Sequence, residues 1–169
     1  MMLPVMINLE TSKILLIGQG AKLHAREAKL NELGASNLDI KYQMSDVRDF
    51  SVYDVVMVVD LPEEQCAKIY KAAKAAHCMV NVEDNKKYCD FFFQSFVRRG
   101  KLLISISTNG SSPGTAKIIR DKINDIFPPE WEQYIDDVAA KRAQWKQLGK
   151  SYDEVNELTK QYVADKNWL

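Results

Sequence analysis

Histidine and cysteine are scarce in this chain of 169 residues, which holds two of the first and three of the second. Cys66, Cys78 and Cys89 are odd in number and no two stand in a Cys-x-x-Cys spacing. This gives neither a disulfide framework nor a zinc site and fits a reducing compartment. His24 and His77 have no partner at ligand spacing and read as structural or exposed. A long apolar run is also missing, since no stretch approaches the ~20 residues of a membrane span. The opening Met1–Thr11 carries Glu10 and no basic leader, so it does not read as a signal peptide. Charge of one sign is absent too, because 23 basic and 23 acidic residues cancel. That argues against a nucleic-acid binder with a uniformly basic surface. There is no internal repeat and no low-complexity tract. The expectation is a soluble, cytoplasmic protein without a membrane or nucleic-acid partner.

What is present is an ordinary globular composition, 46% hydrophobic and 27% charged, enough for one sizeable domain with or without a helical appendage. Lys13–Ile17 is a compact apolar run ending in Gly18-Gln19-Gly20, as suits a buried parallel strand. Ala21–Leu33 follows as a helix, with Leu23, Leu30 and Leu33 on one face and Gly34 in the place of a C-terminal glycine. Leu38, Ile40 and Tyr42 alternate with polar residues in a half-covered second strand. Val55–Val59 is a fully apolar third strand. Pro62 opens a helix running to about Ala76, and Cys78–Val82 is a fourth strand. Strands alternating with helices predict an α/β fold of Rossmann type, with a mostly parallel sheet covered on both faces.

Beyond Asp90 the pattern changes. Phe91–Val97 and Lys101–Ser107 are strand-like and joined by Arg98-Arg99-Gly100, which predicts an antiparallel hairpin. Ser112-Pro113 is an N-cap and first-turn signal for a helix to about Ile126, with Ile118, Ile119, Ile123 and Ile126 on its apolar face. Phe127-Pro128-Pro129 then punctuates the chain. Two charged helices follow, Glu130–Lys146 and Tyr152–Asp165, read as a solvated cap or as a dimer contact through Trp131, Tyr134 and Trp145.

The glycine bend carries the chemistry. Between a buried strand and a helix, Gly18 permits a tight turn and Gly20 lets the backbone approach a pyrophosphate. Amides of Gln19, Gly20, Ala21 and Lys22 at the helix start would meet its charge. The third small position of the fingerprint is filled by Leu23. Strand two ends without the acidic residue that accepts from an adenosine ribose. Gln43 is the candidate for a ribose hydroxyl, while Lys41 leaves a phosphorylated ribose open. Asp60, after strand three, would bond a ribose or repel a phosphate.

Four segments carry a resemblance: Val80-Asn81-Val82-Glu83-Asp84, Phe91-Phe92-Phe93, Leu102–Ser107, and Ser107-Thr108-Asn109-Gly110-Ser111-Ser112-Pro113. In order and spacing, residues 3–127 resemble the precorrin-2 dehydrogenase family, which includes the amino-terminal module of sirohaem synthases. The resemblance implies oxidation of precorrin-2 to sirohydrochlorin with NAD as cofactor, and ferrochelatase activity in some members. It implies a catalytic role for Asp84. Asn81, Thr108, Ser111, Ser112 and Lys117 are implied contacts of the polycarboxylate substrate, with further basic groups at Lys86, Lys87, Arg98, Arg99, Lys101 and Arg120. It also implies a homodimer, and a division into an NAD-binding domain (1–90), a strand–helix dimerisation region (91–127) and a helical tail (128–169). No metal ligand is assigned. The alternative expectation is a non-catalytic protein that binds or senses a dinucleotide or a tetrapyrrole.

Overall fold

The computed structural model describes residues 3–168; Met1, Met2 and Leu169, at the outer ends of the first and last expected segments, lie outside the described residues. Four strands, β1 (Lys13–Gly18), β2 (Asn37–Lys41), β3 (Val55–Val59) and β4 (Met79–Val82), alternate with the helices α1 (Gly20–Glu32) and α2 (Glu63–Ala75). The strands form one parallel sheet in the order β2-β1-β3-β4. The expected α/β class with a parallel sheet is therefore what the chain adopts.

The apolar runs explain the layering. Side chains alternate across a strand, so a strand apolar at every position must be covered on both faces. Ile14, Leu16, Val55, Met57 and Val59 pack on one face with Leu23 and Leu30 of α1. Leu15, Ile17, Val56 and Val58 pack on the other with Cys66, Ile69 and Ala73 of α2. Each such side chain contributes about 1.5–3 kcal/mol by leaving water. Gly34 (φ +89°) ends α1. The Ala35 N–H donates to the Leu30 carbonyl and the Gly34 N–H to that of Asn31, both at 3.0 Å, a Schellman closure.

Strand β2 is shorter than the alternation predicted. Tyr42 lies beyond it and is 57% exposed. The chain leaves the sheet there for a 3-10 turn at Met44–Asp46, and Met44, Val47 and Phe50 pack against the α2 side of the core. Past β4 the chain doubles back along that strand. The Asp90 N–H reaches the Val80 carbonyl at 2.7 Å. The Val80 N–H donates to Asp90 Oδ2 at 2.9 Å, and Asn81 Nδ2 to the Phe91 carbonyl at 2.8 Å. The Cys89 thiol donates to the Val82 carbonyl at 3.2 Å.

This return accounts for a second difference. The hairpin is antiparallel as expected, but β5 is Ser95–Arg99 rather than a strand from Phe91, and β6 is Leu102–Ile106. Phe91 is spent against the α1 side of the first core, and Phe93 lies under the Arg26 guanidinium. Arg99 pairs with Leu102, so the turn is Gly100-Lys101, one residue later than predicted, with Gly100 at φ +53°.

Ser112 caps α3 (Pro113–Ile126), its Oγ accepting from the Thr115 N–H at 3.3 Å. The predicted apolar face of α3 is largely uncovered: Ile118 is 61% and Ile126 64% exposed, and Ala116 is the buried residue. Helices α4 (Trp131–Gln147) and α5 (Tyr152–Asp165) pack together. Trp131, Tyr134 and Trp145 make ring contacts within the helical tail. Trp131 is buried and stands 5.7 Å from Tyr134, which stacks on Trp168 at 4.3 Å, while Trp145 meets Tyr162 at 6.2 Å. The chain divides into two compact units, one ending at Phe93 and the other beginning at Gln94. Among the described residues no helix is long and apolar enough to cross a membrane.

Candidate functional site

The site is built on the C-terminal ends of the parallel strands. At the end of β1, a Cβ on Gly18 would lie 2.0 Å from the Val59 carbonyl oxygen. Only glycine lets β1 and β3 approach this closely, and the Gln19 N–H donates to the same oxygen at 3.3 Å. Gly20 turns into α1 at φ +67°, a left-handed conformation that glycine adopts without strain. Gln19 provides no side-chain cap, and no acidic residue occupies the first turn of α1. No side chain of the helix's own cap or first turn thus competes for the first amides of α1 and the positive end of its dipole, which fits an incoming phosphate. Leu23, at the third small position of the fingerprint, is fully buried among Ile14, Leu16 and Val59.

Three carboxylates surround this bend. Asp60 follows β3 at φ +54°, and its Oδ2 lies 3.1 Å from the place a Cβ on Gly20 would take. Asp84 follows β4, also left-handed at φ +60°. Its side chain is 79% exposed, and Lys22 Nζ sits 2.9 Å from Oδ2. Glu83 precedes Asp84. Arg26 Nη2 bonds Glu83 Oε1 at 2.8 Å, and Lys22 Nζ is 3.9 Å from Oε2, which is buried without a hydrogen bond. The Arg26 guanidinium also lies 3.9 Å from the centroid of the Phe93 ring. The bond from Asp84, then the charges of Asp84 and Glu83, hold the Lys22 ammonium above its ordinary range, so it stays charged.

Of the residues singled out in the sequence, Gly18, Gln19, Gly20, Ala21, Lys22, Asp60 and Asp84 meet here. Gln43 stands just past β2, the neighbour of β1, with its Nε2 donating to Asp46 Oδ1 at 3.1 Å. Asn81, expected as a substrate contact, is bonded within the first unit. It is 8% exposed and its amide holds the Phe91 carbonyl, so it is a strut under the site. Arg26 carries no expectation from sequence, and Glu83 and Phe93 carry one only as members of the segments on which the resemblance rests. The available signal was the four-residue spacing of Lys22 and Arg26, which puts both cations on one face of α1.

Thr108, Ser111, Ser112 and Lys117 belong to the second unit. Thr108 Oγ1 accepts from the Ser112 N–H and donates to the Ser112 carbonyl, both at 3.1 Å. The Ser111 N–H donates to the Thr108 carbonyl at 2.9 Å. Lys117 is exposed on α3. Three other basic candidates are engaged within the unit: Arg99 with the Phe127 carbonyl and Asn124, Lys101 with Asp136, and Arg120 with Asp121. Burial pushes the thiols of Cys66, Cys78 and Cys89 up, so they stay protonated and unreactive.

Known proteins match this arrangement. Residues 99–126 match a family model described as "Sirohaem biosynthesis protein central". Siroheme synthase 1 of Klebsiella pneumoniae subsp. pneumoniae is 33% identical over 96 residues, covering 56% of this chain and 20% of that protein. A siroheme synthase of Neisseria meningitidis serogroup C is 24% identical over 169 residues, covering 88% of this chain and 34% of that one. The chain thus spans about a fifth to a third of the length of these relatives. Among solved structures, "SirC, precorrin-2 dehydrogenase" has the same fold, with a TM-score of 0.73 at 19% identity over 99% of this chain and 92% of that one. The glycine bend itself falls within residues 5–95, which match the model described as "Putative NAD(P)-binding". With more than half its length in that match, the chain belongs to this NAD(P)-binding family.

Proposed function

We propose that the protein is a cytoplasmic, homodimeric precorrin-2 dehydrogenase, oxidising precorrin-2 to sirohydrochlorin with NAD on the way to sirohaem. One observation carries this reading: Asp84, at the carboxyl end of β4, is linked at 2.9 Å to Lys22 in the first turn after the glycine bend. A carboxylate suited to proton transfer therefore stands within one side chain of the dinucleotide cradle, at the crevice where open α/β sheets bind ligands. The names of the siroheme synthase relatives and of the SirC dehydrogenase support the choice of substrate.

A bound nicotinamide supplies the hydride acceptor. The amides of Gly20, Ala21 and Lys22 would hold the pyrophosphate, and Gln43 would take a ribose hydroxyl. The Asp46 carboxylate beside Gln43 puts negative charge at the end of β2, which favours NAD over its phosphorylated form. Asp84 accepts the proton that leaves the macrocycle, so hydride and proton together account for both hydrogens removed. Thr108, Ser111, Ser112 and Lys117 offer hydroxyls, amides and one ammonium to substrate carboxylates. The exposed Ile118, Ile119 and Ile126 support the 91–127 segment as the dimerisation region.

Incubating the purified protein with precorrin-2 and NAD is expected to give NADH and sirohydrochlorin. Asp84→Asn is expected to lower turnover by about 100-fold or more, the usual contribution of a positioned base. Adding ferrous iron to the product reads ferrochelatase activity in the same vessel. A second reading, a non-catalytic binder of dinucleotide or tetrapyrrole, draws on Asp60, whose carboxylate crowds the bend at Gly20. Binding of NAD or precorrin-2 without NADH formation selects that reading.

A further inference from the structure

Lys22 faces two anions that need it in turn. It lies in the first turn of α1, whose start would receive the phosphates, and its ammonium is held 2.9 Å from Asp84 Oδ2. The surroundings leave it little relief. Asp60, Glu83 and Asp84 bring three carboxylates to the mouth of the bend, and Arg26 is committed to Glu83 at 2.8 Å and to the Phe93 ring. Lys86 and Lys87 follow Asp84 in the next turn, and Lys87 lies over the Tyr88 ring. Lys22 is thus the ammonium that reaches from the bend to Asp84.

We propose that Lys22 is a positioning residue shared between Asp84 and the dinucleotide. In the free protein Asp84 competes with the pyrophosphate for Lys22. Cofactor binding draws the ammonium toward the phosphates and leaves Asp84 without its cation beside a negatively charged ligand. A carboxylate in that setting holds a proton more readily, which makes it a better base for the macrocycle. The order of events follows: cofactor first, then an activated Asp84. This inference rests on the dinucleotide reading of the bend.

The test is a double-mutant cycle on the NAD dissociation constant, measured by calorimetry with Lys22→Met, Asp84→Asn and the double variant at low salt. Both side chains are more than half exposed, so the variants are expected to fold. Competition predicts that Asp84→Asn tightens NAD binding about two- to five-fold, the range of an exposed charge pair, and that Lys22→Met loosens it. In the Lys22→Met background the gain from Asp84→Asn shrinks at least about two-fold, because the competed-for cation is gone. Raising salt to about 0.5 M shrinks the gain in the Lys22 background as well. An unchanged dissociation constant in Asp84→Asn, or equal gains in both backgrounds, overturns the proposal while leaving the cofactor reading intact. No NAD binding by any variant overturns both.

Discussion

Two glycines show how differently one residue type can be constrained. At Gly18 the obstacle is a backbone oxygen 2.0 Å from where a Cβ would sit, and backbone in the middle of a sheet cannot move aside. At Gly34 a Cβ would meet nothing within 4 Å, and only the φ of +89° is costly. We expect Gly18→Ala to cost about 2–3 kcal/mol or to unfold the sheet, as forced overpacking does. Gly34→Ala should cost nearer ~1 kcal/mol, the left-handed penalty; urea denaturation midpoints of the two variants separate these cases. At this scale the sequence was partly legible. Gly18, Gly20 and Asp84 stand out because motif and chain order mark them. The pairing of Lys22 with Asp84 joins residues 62 positions apart and has no local signature. The bond from Asn81 to the Phe91 carbonyl likewise has no trace in one dimension, because a buried amide and an exposed one look the same there.

The helices and strands were legible wherever local chemistry decides them. Ser112-Pro113 starts α3 where expected, and α5 begins at the serine cap, with Ser151 and Glu154 closing a reciprocal capping box. The Glu154 carboxyl accepts from Lys150 and from the Ser151 N–H, which pull its pKa down to about 2. Because the folded value lies below the ordinary glutamate value, the cap's contribution is present above about pH 4.5 and is lost as pH falls toward about 2. Carboxyl-carbon NMR titration should therefore find Glu154 ionised through that window. Ser151→Ala should destabilise α5 by ~1 kcal/mol and return Glu154 toward its ordinary range. Boundaries failed where distant contacts overrule a local pattern. Phe91–Gln94 has strand composition, yet its aromatics close the first unit and delay β5 to Ser95.

At the level of the whole chain, the parallel sheet could be read from four apolar runs with helical spacers, because strands buried on both faces leave that trace. The role of the second unit could not be read so directly. Ile118, Ile119 and Ile126 keep helical spacing but face outward, which periodicity alone does not distinguish from burial. If α3 forms the dimer contact, Ile118→Lys should convert the protein to monomer in sedimentation velocity while leaving its helix content unchanged. Persistence of a dimer in that variant would remove α3 from the interface. The doubling back of residues 89–91 along β4 has one more consequence. A terminal strand ordinarily displays unpaired amides and carbonyls, an invitation to strands of other molecules. Here Asp90, Cys89 and the Phe91 carbonyl seal that margin with the chain's own groups, so the β4 side of the sheet is closed to a fifth strand.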